Sequence, residues 1–124
     1  MTTHKNTKFA VFCLLGIVGI YAITLIFLFY VSFLVGELQS IKASVLWGGL
    51  ALWCAYHLAK NSNRARKWSI FLFGLHSVIA LFYIIFPLDV GTFHTAFMFG
   101  ALAFFIAGTL GLYFAVKAKV ELAN

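Results

Sequence analysis

Carboxylates are almost missing from this chain: 124 residues contain three acids, Glu37, Asp89 and Glu121. All three lie outside the long apolar runs, so no carboxylate inside those runs can serve as a general base. Charge of either sign is scarce, at 10% of residues against roughly 25% in an ordinary soluble domain. There are two cysteines, Cys13 and Cys54, and no C-x-x-C pair. The G-x-S-x-G, H-E-x-x-H and phosphate-loop patterns are also missing. These gaps leave classical catalysis little to work with, and the chain is not expected to be an enzyme.

Apolar residues take up the remainder, at 64% hydrophobic. Four uncharged runs, 9–36, 43–59, 68–86 and 90–116, fill most of the sequence. A helix needs roughly 20 apolar residues to cross a hydrocarbon core of about 30 Å. Each run lacks the alternation that a membrane barrel strand requires, whereas a helix satisfies its own backbone where lipid cannot. The expected fold is therefore all-α: a single polytopic transmembrane domain over 1–124, an antiparallel four-helix transmembrane bundle with spans at about 9–36, 41–60, 68–86 and 92–116. The first run is too long for a signal-peptide core and no clear small-x-small cleavage site follows it, so it reads as an uncleaved signal anchor. Short connections make sequential spans neighbours, with Pro87 closing the third span and "PLDVG" forming an outer turn.

The net charge of +6 would point to nucleic acid in a soluble protein, but its distribution points to a membrane. Lys5, Lys8, Lys60, Arg64, Arg66, Lys67, Lys117 and Lys119 fall on one side of the expected bundle, and Lys42 alone falls on the other. The positive-inside rule then puts both termini and the loop "KNSNRARK" in the cytoplasm. Within that loop, Lys60, Arg64, Arg66 and Lys67 act as topology determinants, with contact to anionic lipid headgroups as their functional reading.

Close helix packing in lipid depends on small residues. Ser44, Gly48, Ala51 and Ala55 form one stripe on the second span. Ala96, Gly100, Ala103, Ala107 and Gly111 form another on the fourth. Their spacings of three and four put each stripe on one helix face, nominating spans two and four as a tightly packed pair or each as the seam of a homo-oligomer. The 15 Phe, 5 Tyr and 3 Trp supply mainly lipid-facing bulk, with Trp68 placed as an interfacial anchor.

The candidate polar site lies in the third span. On a helical wheel Ser69, His76, Ser77, Ala80 and Tyr83 share one arc, and Phe71, Leu75, Val78, Phe82, Ile85 and Phe86 occupy the other. An ionisable residue within a span faces the bundle interior and is a functional hypothesis by default. His76, with Ser77 and Tyr83, would serve a proton or ligand path. The plainer reading is a neutral imidazole joining helices. Cys13, Cys54 and His57 lie at a similar depth and form a weak candidate metal set of soft ligands, lacking a fourth member. His57, His76 and His94 lie at different depths, which opposes an axial haem pair. No cofactor and no metal is expected.

Four spans in this length invite comparison with small multidrug resistance transporters, whose first-span coupling carboxylate has no counterpart here. The segment "TFHTAF", 92–97, resembles the Thr/Phe/Ser segment of bacterial fluoride channels but opens the last span instead of lying in the penultimate one. With "RARKW" at 64–68 and the exit "GLYFAVKAKV" at 111–120, the layout resembles that of uncharacterised bacterial four-span inner-membrane proteins. That resemblance implies a multi-pass location in the bacterial inner membrane and no activity. The expected function is that of a small integral membrane protein acting through helix-helix and lipid contacts, in an accessory, assembly, regulatory or immunity-type role. Its partners would be membrane lipid and another membrane protein or a second copy, with no nucleic acid. The alternative is a small oligomeric channel or proton-coupled transporter using His76.

Overall fold

The computed structural model describes residues 4–36, 41–87 and 94–122, apart from the side chains of Val35, His94, Glu121 and Leu122. Glu37, Asp89, most of the "PLDVG" turn and the start of "TFHTAF" lie outside the described residues. Every regular element described is a helix: α1 (Lys5–Val35), α2 (Lys42–Ala59), α3 (Asn63–Ile85), α4 (His94–Lys117) and a short α5 (Lys119–Leu122).

Three of these helices, α1, α3 and α4, are long and apolar enough to cross a membrane, so the chain has the build of a multi-pass membrane protein. The sequence reading counted four such spans. The difference is α2, whose 18 residues include Lys42, Trp47, Trp53, Tyr56 and His57. These polar tips dilute its hydropathy over a length of only about 27 Å at 1.5 Å per residue. At the other extreme, the 31 residues of α1 extend about 46 Å, well beyond a hydrocarbon core of about 30 Å.

The corner between α2 and α3 is built from "KNS". Asn61 takes a left-handed conformation, φ 64°, which its short polar side chain tolerates. Its N–H donates to the Leu58 carbonyl, and the Ser62 N–H donates to that of His57. This pair of bonds is a Schellman ending for α2. Ser62 then caps α3, its Oγ accepting from the Ala65 N–H at 3.2 Å. The expected loop "KNSNRARK" is thereby shortened: from Asn63 onward its residues are helical, because the cap starts α3 one turn before the apolar run.

Each long helix packs against two others, α1 on α2 and α4, and α3 on α2 and α4. The expected close pair of spans two and four is thus replaced by two other pairs. On α2, Gly48 lies against Tyr21 of α1, where an added Cβ would stand 3.2 Å from the Tyr21 Cβ. On α4, an added Cβ at Gly108 would meet the Ser77 Oγ at 2.5 Å and the Phe73 carbonyl at 2.9 Å, and one at Gly111 would collide with the Phe73 ring. The four-helix ring sets α2 and α4 on its diagonal, so their small residues serve the neighbours beside them.

Four buried stripes define the interior. They run through Thr7, Ala10, Leu14 and Ile17 on α1; Ala51, Cys54, Ala55 and Leu58 on α2; Arg66, Ser69, Phe73, His76 and Ala80 on α3; and Ala101, Gly108, Gly111 and Ala115 on α4. Steps of three and four keep each stripe on one face. The α4 face is rotated from the expected stripe: Gly111 belongs to both and Ala107 packs against the core, while Ala101 and Gly108 take interior places that were not expected. Ala96 is exposed, and Gly100 has open space where a Cβ would be. Large apolar side chains such as Ile23, Phe33, Val78, Phe82 and Phe99 point outward, the arrangement of a bundle whose solvent is hydrocarbon.

Candidate functional site

The α3 stripe carries His76 to the level where all four long helices contribute a ring. Tyr21 continues the α1 stripe by one step of four, Trp47 precedes Ala51 on α2 by the same step, and Phe104 lies between Ala101 and Gly108 on α4. The Tyr21, Trp47 and Phe104 ring centroids stand 5.7, 6.0 and 5.3 Å from that of His76. Tyr21 and Phe104 also meet, at 5.1 Å. Edge-on and tilted contacts of this kind suit the ring quadrupoles.

Both imidazole nitrogens of His76 are engaged within the protein. Nδ1 lies 2.8 Å from the Leu72 carbonyl, which can only accept, so Nδ1 carries the proton and donates. In the neutral ring Nε2 is then an acceptor, and the Tyr21 hydroxyl donates to it at 2.6 Å. His76 is buried, and its polar atoms are satisfied as burial requires. One bond fixes the ring on its own helix and the other ties α3 to α1.

The neighbouring polar residues look elsewhere. Ser77 pairs with Thr109 of α4, Oγ to Oγ1 at 3.3 Å. Tyr83 packs edge-on against Phe97 at 5.6 Å between centroids. The polar arc of α3 therefore serves two interfaces, His76 toward α1 and Ser77 and Tyr83 toward α4. Ser69 is buried and donates to the Ala65 carbonyl at 2.6 Å.

Tyr21 is the partner that sequence reasoning missed. The pairing spans 55 positions of chain and depends on the height of α1 relative to α3, which no local pattern encodes. Cys13, Cys54 and His57 do not assemble. Among the described residues no group of three His, Cys, Asp or Glu side chains is placed to hold a metal ion. Cys54 is buried and Cys13 half-buried, while the His57 ring packs on Trp53 and Tyr56 with centroids at 4.7 and 5.1 Å.

The basic residues divide by face. Lys60 lies over the Tyr56 ring with its Nζ donating to the Tyr56 hydroxyl. Arg64 and Lys67 are exposed. Arg66, grouped with them as headgroup-facing in the sequence reading, is instead buried at 6% exposure. It sits on the interior stripe of α3, where Nε donates to the Asn63 Oδ1 at 2.8 Å and Nη1 approaches the Ala115 carbonyl at 3.4 Å. A cation in the last turns of α4 complements the carbonyl end of that helix. No known protein family, curated protein or solved structure matches the chain, so its function is read from this geometry.

Proposed function

We propose that the chain is a small bacterial inner-membrane protein, an antiparallel four-span bundle with both termini in the cytoplasm, that acts through helix-helix and lipid contacts and not through catalysis or transport. Its role is accessory, assembly, regulatory or immunity-type, with a membrane protein or a second copy as partner. The observation that carries this reading is the double engagement of His76, by Leu72 on one nitrogen and Tyr21 on the other. An imidazole so held, with aromatic rings from the other three helices around it, is built to join helices. Its remaining ring neighbours, Phe104 and Trp47, carry no group that accepts a proton.

The antiparallel arrangement is supported by which ends meet. Arg66 near the start of α3 reaches Ala115 near the end of α4, Tyr83 near the end of α3 meets Phe97 near the start of α4, and Phe9 stacks on Phe114 at 4.9 Å. The orientation rests on the one-sided placement of the basic residues. Although short, α2 can complete the fourth crossing with Lys42 and Lys60 at its two headgroup levels.

Native mass spectrometry after extraction in mild detergent tests this reading. The expected spectrum contains the chain in a defined assembly with itself or with another membrane protein. A chain that is monomeric and partnerless under every mild extraction contradicts it.

A further inference from the structure

We propose that the first two turns of α3 form a binding site for one anionic phospholipid, with Arg64 and Lys67 on the headgroup phosphate and Trp68 and Phe71 against the first part of an acyl chain. This rests on the reading of the chain as a membrane protein acting through lipid contacts, and it names the lipid class and the place.

Arg64, Lys67, Trp68 and Phe71 recur at intervals of three, one and three, which puts them on one helix face. They line a shallow, open depression on the surface of α3. Trp68 and Phe71 meet edge-on with centroids 6.3 Å apart, and both are exposed. Below them the same side of α3 continues as Val78, Phe82 and Ile85, all exposed, giving an apolar track that runs away from the two cations.

Charge selects the headgroup. Neither α2 nor α3 contains an Asp or Glu, so no carboxylate on these helices competes for Arg64 and Lys67. Among the described residues neither cation has a hydrogen-bond, ion-pair or ring partner, whereas Lys5, Lys60 and Lys117 each lie over an aromatic ring four residues away in the chain. Arg66, the remaining cation of this turn, is turned inward to Ala115. A guanidinium and an ammonium left free above an indole and an apolar column match a ligand with a phosphate at one end and a hydrocarbon chain at the other. An acidic peptide would use only the upper half of that surface.

The test is native mass spectrometry of the purified protein with equimolar phosphatidylglycerol and phosphatidylcholine of matched chains. The wild type is expected to retain phosphatidylglycerol preferentially. Arg64→Gln and Lys67→Gln should each weaken retention about fivefold, and Phe71→Ala should weaken it without a change of charge. Lys5→Gln and Lys117→Gln, on the same end of the molecule, should stay within about twofold. Glycerophosphoglycerol, the headgroup without chains, should not compete at equal concentration. The proposal is overturned if the Arg64→Gln/Lys67→Gln double variant keeps the wild-type preference, if the control lysines matter equally, or if the chainless headgroup competes. Alkaline-washed flotation with vesicles of the same two lipids separates the two readings. Wild type that washes off contradicts the membrane reading, while wild type that floats without lipid preference sinks the site alone.

Discussion

The Tyr21 hydroxyl donates to His76 Nε2 across 2.6 Å, joining two residues that are 55 positions apart in the chain. With Nδ1 held by Leu72, this bond fixes both the tautomer of the imidazole and the rotation of α1 relative to α3. Interhelical hydrogen bonds in membranes are modest, averaging about 0.6 kcal/mol and reaching about 1.7. Tyr21→Phe is therefore expected to lower unfolding stability in mixed detergent micelles by an amount in that range. A double-mutant cycle with His76→Ala should return a coupling of the same size. A cycle with no coupling would show that the two residues do not act as a pair.

Gly108 and Gly111 mark the closest approach of α3 and α4. Gly111→Ala drives a methyl group into the buried Phe73 ring and should cost about 1–3 kcal/mol, the range for overpacking a filled interior. Gly100→Ala enters open space and should change stability by less than about 0.5 kcal/mol. Equal melting temperatures for the two variants would contradict this assignment of the packing face.

That same openness turns Gly100 into a probe of association between molecules. Gly100→Leu is expected to leave the monomer's stability unchanged while weakening assembly seen by native mass spectrometry. Gly48→Leu, which would displace Tyr21 within the chain, should destabilise the monomer itself. Were Gly100→Leu to leave every assembly intact, the surface around Gly100 and Ala96 would have no part in partner binding.

Arg66 and Arg64 differ by two positions and face opposite ways. Arg66→Gln removes a buried cation from the carbonyl end of α4 and should cost about 0.3–1 kcal/mol. Arg64→Gln changes an exposed side chain and should leave thermal unfolding unaltered. Equal losses from both would place Arg66 on the surface with its neighbours.

The helices were legible because uncharged runs of this length have few other solutions in a bilayer, and the wheel of α3 separates its polar arc from its aromatic one cleanly. The face of α4 was harder to read. Gly and Ala are spread around that helix, and Ala96 with Gly100 makes as regular a stripe as the observed Ala101, Gly108, Gly111 and Ala115. Gly111 belongs to both, and only the approach of Ser77 and the Phe73 backbone to Gly108 decides between them. Arg66 was misread for a related reason: as a letter in a basic run it looks like Arg64, and only the Ser62 cap reveals that it lies one step along the interior stripe. The partner of His76 depended on the relative height of α1 and α3, which no local pattern encodes.

The claim that His76 joins helices and does not carry protons is tested most directly by pH-gradient dissipation in proteoliposomes. At matched protein loading, the wild type should collapse an imposed gradient no faster than protein-free vesicles, and His76→Ala should be indistinguishable from it. Proton flux well above the protein-free rate, abolished by His76→Ala in a variant that remains folded, would contradict the account and establish His76 as part of a transport path.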